Sequence, residues 1–175
     1  MKHIIIVGSV RKGNSLYIAE QIALAKGKDC KVVQLSNYQI NLCNGCLACD
    51  ETQKCVFDDG MTTILSDVRN AETIIVVTPS RYALLSGDAK VFIDRLNPTA
   101  ASEELVGKKF VGIAVGQTDK DDKSIANALK SLEIFAESAG LESLGVFPVY
   151  ECLGEDAAKS GGEIPALAKK VAKLL

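Results

Sequence analysis

His3-Ile4-Ile5-Ile6-Val7, followed by Gly8-Ser9-Val10-Arg11-Lys12-Gly13-Asn14-Ser15, decides how this chain folds. The unbroken β-branched run Ile4 to Val7 reads as a strand covered on both faces. The small and polar residues after it turn the chain, and a helical spacing of apolar residues follows over 15–26. The alternation then repeats. Strands are expected at 3–7, 31–35, 73–78, 110–115 and 145–150, and helices at 15–26, 61–70, 86–96, 122–139 and 163–174. In the fourth helix Ile125, Leu129, Leu132 and Ala136 recur at three- and four-residue steps, and Gly140 stops it. Gly161-Gly162 reads as a turn before the last helix. Alternation through the whole chain predicts an α/β fold: a doubly wound, five-stranded parallel sheet with helices on both faces, in one domain over 1–175. Ligands of such sheets lie beyond the carboxyl ends of the strands. That singles out the loops 8–15, 79–87 and 116–122, and the cysteine-rich segment after the second strand is expected to empty onto the same edge.

Composition narrows the function. The 175 residues carry Lys+Arg 20 against Asp+Glu 22, a net charge of −2, which argues against a general nucleic-acid binder. No apolar run reaches membrane-spanning length, and the apolar stretch near Met1 is too short for a signal peptide. A cytoplasmic protein with no membrane partner is the expectation. Cysteine is the abnormal count: there are 6, and Cys43, Cys46, Cys49 and Cys55 crowd into an insert spanning about 40–58. A reducing compartment does not favour disulfides there. With His3 the single histidine, imidazole catalysis and mixed Cys/His metal sites are nearly excluded.

The first loop suits one phosphate. Its small residues let backbone N–H groups turn inward, Ser9, Asn14 and Ser15 add side-chain donors, and Arg11 and Lys12 add charge at a helix N-terminus. It matches neither Gly-x-Gly-x-x-Gly nor Walker A, which weighs against a dinucleotide or a triphosphate. The plainer reading makes Asn14 or Ser15 a helix cap beside surface cations.

Cys43-x2-Cys46-x2-Cys49-x5-Cys55 follows the logic of a cubane [4Fe–4S] cluster, with three closely spaced thiolates on one side and a fourth from a short loop. Structural zinc more often uses two separated Cys-x-x-Cys knuckles. Zinc, or a metal-free thiol-rich loop, remains the alternative. Cys30 and Cys152 lie far from the quartet and read as small buried apolar residues.

Gly8-Ser9-x-Arg11-Lys12-Gly13-Asn14-Ser15 resembles the phosphate loop of the NADPH-dependent FMN reductase and flavodoxin-like family. Thr78-Pro79-Ser80-Arg81-Tyr82 and Ser86-Gly87-Asp88-Ala89-Lys90-Val91-Phe92-Ile93-Asp94-Arg95 resemble that family's second loop and the helix after it. The cysteine segment resembles the iron–sulfur flavoprotein branch. Val10 stands where the family often has Pro, Gly60 follows Asp58-Asp59 where the family often has Met, and the third loop lacks the usual glycines. The resemblance implies a flavodoxin-like fold and bound FMN. It assigns Ser9, Arg11, Gly13, Asn14, Ser15 and Leu16 to the phosphate side. Pro79, Ser80, Arg81, Tyr82 and Ala83, with Gln117 and Thr118, fall on the ring side. There backbone N–H groups would meet the ring edge, Arg81 would face charge on the reduced ring, and Tyr82 would pack on it. The charges Lys90, Asp94 and Arg95 read as a solvated helical set.

A protein with both groups is suited to electron transfer between two-electron and one-electron partners, such as NAD(P)H and ferredoxin. The alternatives are an NAD(P)H-dependent FMN or quinone reductase without a cluster, and a non-catalytic zinc-binding module. The family resemblance also implies a homo-oligomer, a dimer or tetramer, with cover for the exposed cysteine loop.

Overall fold

The computed structural model describes residues 1–121 and 123–175; Asp122, the end of the third loop and the expected start of the fourth helix, lies outside the described residues. Five strands form one parallel sheet: β1 (His3–Val7), β2 (Cys30–Gln34), β3 (Thr73–Pro79), β4 (Lys109–Val115) and β5 (Glu142–Val149). They lie in the order β2-β1-β3-β4-β5. Every pairing is parallel, as in Ile5↔Val32 and Ile5↔Ile75. This is the flavodoxin order, and the direction in which successive strands are added across the sheet reverses between β1 and β3.

The helices are α1 (Asn14–Lys26), α2 (Ala48–Thr52), α3 (Gly60–Asn70), α4 (Gly87–Asp94), α5 (Asn97–Ala100), α6 (Ala126–Ser138), α7 (Ala157–Ser160) and α8 (Glu163–Leu174). The period of two in β1 sorts its side chains between two cores. Ile4 and Ile6 pack with Ile64, Val68, Phe92 and Leu132 from α3, α4 and α6. Ile5 and Val7 pack with Ile18, Ile22, Ile164 and Val171 from α1 and α8. All four β1 residues are fully buried, each contributing about 1.5–3 kcal/mol of hydrophobic stabilisation.

The long elements fall close to their expected places. α3 presents Met61, Ile64, Leu65 and Val68 on one face, and the Asp59 carboxylate caps it by accepting from the Met61 N–H at 2.9 Å. Gly140, with φ +67°, follows α6 in the left-handed conformation that ends helices. β5 starts earlier than expected, at Glu142, because a register irregularity beside Phe110/Val111 lets the edge strand pair past Gly145. Leu35, expected in β2, opens a single 3₁₀ turn instead. Three short helices, α2, α5 and α7, were not expected; none has a periodic stretch long enough to announce itself. Among the described residues no helix is long and apolar enough to cross a membrane.

Candidate functional site

The loops after β1, β3 and β4 meet in one open cleft of about 230 Å³ at the carboxyl edge of the sheet. Ser9, Arg11, Gly13, Asn14 and Ser15 line it from the first loop, Pro79 to Ala83 from the second, and Gln117 and Thr118 from the third. These are the expected residues save one. Leu16 turns its half-buried side chain into the core beside α1's other apolar residues. Only its backbone N–H stays with the loop.

The first loop is rich in unspent donors. From Ser9 to Leu16 no backbone N–H finds an acceptor among the described residues; the first amide of α1 to do so is Tyr17, bonded to the Gly13 carbonyl at 3.0 Å. A helix start always leaves such orphans, but here the loop before it adds more. Ser15 is 4 % exposed, and its hydroxyl has no partner among the described residues. Arg11, exposed, adds a cation. A run of free amides, a helix N-terminus and a guanidinium form a surround suited to an anion.

What holds this loop is less visible in sequence. Gln34, at the end of β2, is 5 % exposed and donates from Nε2 to the carbonyls of Ser9 at 2.8 Å and Arg11 at 3.2 Å. Ser86 Oγ donates to the Gly8 carbonyl at 2.6 Å while capping α4 by accepting from the Ala89 N–H. A Cβ on Gly8 would lie 2.8 Å from that of Ala89, so only glycine lets the loop meet α4 so closely. Asn14 neither caps α1 nor stands free for a ligand: its Nδ2 donates to the Gly154 carbonyl at 2.7 Å, and its Oδ1 accepts from the Ala158 N–H at 2.9 Å. It latches the loop after β5 across the first loop, and the Glu155 carbonyl comes within 2.8 Å of where a Gly13 Cβ would be. Cys152, Gly154 and Glu155 thereby join the cleft wall. Burial pushes the Cys152 thiol up to about 11, which leaves it protonated and unreactive.

The second loop is a tight hairpin turn. Arg81 and Leu84 exchange both backbone hydrogen bonds at 2.9 Å, and Tyr82 and Ala83 between them have φ of 49° and 62°. Two left-handed central residues make it a type I′ turn. The Tyr82 and Ala83 N–H groups donate to no acceptor among the described residues. The Tyr82 ring packs on nothing: it is fully exposed at the mouth of the cleft. Ser124, which the sequence did not flag, ties the second loop to the third. Its carbonyl accepts from Ser80 Oγ at 2.5 Å, and its hydroxyl pairs with Thr118 Oγ1 at 2.6 Å.

The cysteine segment lies elsewhere than expected. It leaves the carboxyl edge near Gln39, whose carbonyl accepts from the Gly60 N–H at 2.9 Å, and reaches the C-terminal end of α4, where Asn41 meets Arg95. Cys43, Cys46, Cys49 and Cys55 border a single small pocket of about 30 Å³ with Asp94, Arg95 and Asn97, at the far end of that helix. Ser86 begins α4 beside the first loop, so an eight-residue helix, about 12 Å long, separates the two sites. All the cysteines are free thiols. The four thiols at one pocket are a donor set that fits an iron–sulfur cluster. As arranged, however, no group of three or more His, Cys, Asp or Glu side chains among the described residues could hold a metal ion.

Arg95 corrects the sequence reading most sharply. Lys90 and Asp94 do form an exposed pair on α4, but Arg95 is 1 % exposed and lies under the cysteine segment. Its guanidinium meets Asp59 in a two-pronged ion pair, Nη1 to Oδ2 at 2.8 Å and Nη2 to Oδ1 at 3.0 Å, and Nη1 also donates to the Asn41 carbonyl at 2.6 Å. Phe57 covers it, with the guanidinium carbon 5.2 Å from the ring centre. One buried cation thus clasps both flanks of the insert. Burial works to raise the Asp59 carboxyl, but the Arg95 pair and the N–H donors of Asn41 and Met61 outweigh it and hold the group well below the carboxylate range.

The sequence signature of the family described as NADPH-dependent FMN reductase matches residues 1–138. The chain belongs to that family. Among relatives of this FMN reductase family member is an iron-sulfur flavoprotein of Methanocaldococcus jannaschii, 31% identical over 120 residues, which are 66% of this chain and 62% of the relative. Two iron-sulfur flavoproteins of Archaeoglobus fulgidus also match. One is 33% identical over 54% of this chain and 48% of its own length; the other is 27% identical over 88% of this chain and 68% of its own length. The chain thus spans about half to two thirds of the length of these curated relatives. The structure of Trp repressor binding protein from Bacillus subtilis superimposes with a TM-score of 0.71 at 18% identity, covering 97% of this chain and 96% of that one. An FMN-dependent NADH-azoreductase from Bacillus anthracis, solved with FMN, gives 0.68 at 15% identity over 99% of this chain and 98% of that one. At such identities the likeness concerns the fold.

Proposed function

We propose that residues 1–175 act as one flavodoxin-like unit that binds FMN in the cleft and a [4Fe–4S] cluster at the cysteine pocket, and passes electrons between two-electron and one-electron partners. The observation that carries the reading is the unpartnered amide run from Ser9 to Leu16 beside Arg11. It suits the single phosphate of a mononucleotide. The Tyr82 and Ala83 N–H groups suit the carbonyl edge of a flat ring, with Pro79, Gln117 and Thr118 around it. FMN supplies hydride acceptance and stepwise electron release when bound. The chain's own part is to hold the phosphate, to set the ring against the second loop, and to leave one side of the cleft open. No protein acid or base is needed for such chemistry.

Cys43, Cys46, Cys49 and Cys55 would hold the cluster, and the names of the relatives support it. NAD(P)H or a ferredoxin suits the roles of donor and acceptor. A reducing cytoplasm suits the free thiols. A dimer or tetramer would cover Leu42, Leu47 and Val56, which stand 57–70 % exposed around the cysteine pocket. One observation favours a second reading, an NAD(P)H-dependent FMN or quinone reductase without a cluster: the thiols do not converge on a metal-sized point.

Anaerobic purification with iron, sulfide and flavin assays separates the two. About four irons and one FMN per chain are expected. FMN with rapid NAD(P)H oxidation and no iron supports the second reading, and protein that takes up no FMN contradicts both.

A further inference from the structure

Gln34 is a polar side chain where the fold gives no local reason for one. It closes β2, an edge strand of the parallel sheet, opposite Val7 in the register, and is 5 % exposed between buried Val33 and Leu35. What the amide does is collect two loop carbonyls, Ser9 and Arg11, on a single nitrogen.

The consequence follows from peptide planarity. No peptide bond in the described chain is cis, so each carbonyl points opposite to the N–H of the next residue. Turning the Ser9 and Arg11 carbonyls down onto Gln34 therefore turns the Val10 and Lys12 amides up, away from the strand end. Those amides belong to the run that has no acceptor among the described residues. Without the Gln34 donors the Ser9 carbonyl has no partner among the described residues and the Arg11 carbonyl keeps only the long 3.4 Å bond from Ser9 Oγ, so either peptide could flip, presenting a carbonyl dipole where the anion is to sit.

We infer that Gln34 is a positioning residue for anion binding: by holding the Ser9 and Arg11 carbonyls beneath the first loop, it keeps the amides of Val10 and Lys12 facing the phosphate of a mononucleotide. Gln34 touches no ligand and acts through the loop backbone. The inference rests on the cleft being the FMN site.

A phosphate-specific readout distinguishes this role from general support of the fold. FMN and riboflavin share the ring and differ in the phosphate. Flavin-free protein is titrated with each, following flavin fluorescence, for the wild type, Gln34→Met and Gln34→Glu. Met keeps the volume and removes the donor; Glu keeps the shape and replaces the donor with an acceptor. FMN affinity falls about tenfold in Gln34→Met and further in Gln34→Glu, while riboflavin affinity stays within about twofold in both. The preference of the wild type for FMN over riboflavin shrinks accordingly. Equal loss for the two flavins, no loss for either, or variants that do not fold would overturn the inference, because Gln34 would then serve the fold or nothing. A wild type that binds neither flavin, or binds FMN no better than riboflavin, defeats the reading of the cleft itself.

Discussion

The first loop and the cysteine segment are both irregular stretches that leave the sheet near its carboxyl edge, yet they are held in different ways. The first loop is tied along its length. Gln34 holds it from below, Ser86 from the side and Asn14 from above, all through short hydrogen bonds to backbone atoms. Its backbone is held by bonds the protein makes to itself. The cysteine segment is tied chiefly at its ends, where Arg95 joins Asn41 to Asp59, with a further bond between them, from Arg69 Nη2 to the Gln53 carbonyl at 3.2 Å. Between them most of the chain is exposed, Leu47 and Gln53 are left-handed, and the thiols share a pocket without converging. The contrast teaches that a fold can prearrange an anion site from its own backbone, whereas a multi-thiol site depends on what the sulfurs gather around.

The largest effect is expected at the clasp. Asp59→Ala leaves the Arg95 guanidinium buried without its partner, and stability falls by about 3–5 kcal/mol in chemical denaturation. Native-state proteolysis should then cut within 42–58 first, while FMN binding by the folded fraction persists. Cutting at the first loop instead would break the comparison. Asn14→Ala comes next. It removes the latch on the loop after β5 and costs about 1–2 kcal/mol, and here FMN affinity should fall while the cysteine segment keeps its protease resistance.

The pH dependence sharpens the same contrast. The folded-state carboxyl of Asp59 titrates below its unfolded value, so the clasp stabilises fully above the ordinary carboxylate pKa of about 4 and loses that contribution as pH falls further. Protease sensitivity of 42–58 should appear on descent below about pH 4, before the first loop opens. At the small end, Lys90→Ala removes an exposed pair from the same helix and changes stability by about 0.5 kcal/mol or less.

Much of this was legible in the residues. The apolar runs of β1, β3 and β4 and the periodic faces of α3 and α8 report burial directly, so the sheet and its order of elements follow. The cleft was legible because loop positions follow from topology. What escaped was long-range and polar. Nothing local says that Arg95 turns inward while Lys90 stays in water; that depends on Asp59, 36 residues away. Asn14 looked like a donor or cap because its partners lie beyond residue 150. Gln34 offered one signal, a polar residue ending a strand at the ligand edge. That the cysteine segment settles at the C-terminal end of α4 had no signal in its own composition.

The central claim is that the cleft is an FMN site built by the fold independently of the thiols. Calorimetric titration of FMN into protein stripped of iron and flavin tests it most directly. The account predicts one FMN per chain with the thiol pocket unfilled; protein that stays folded under the same conditions and takes up no FMN would contradict it.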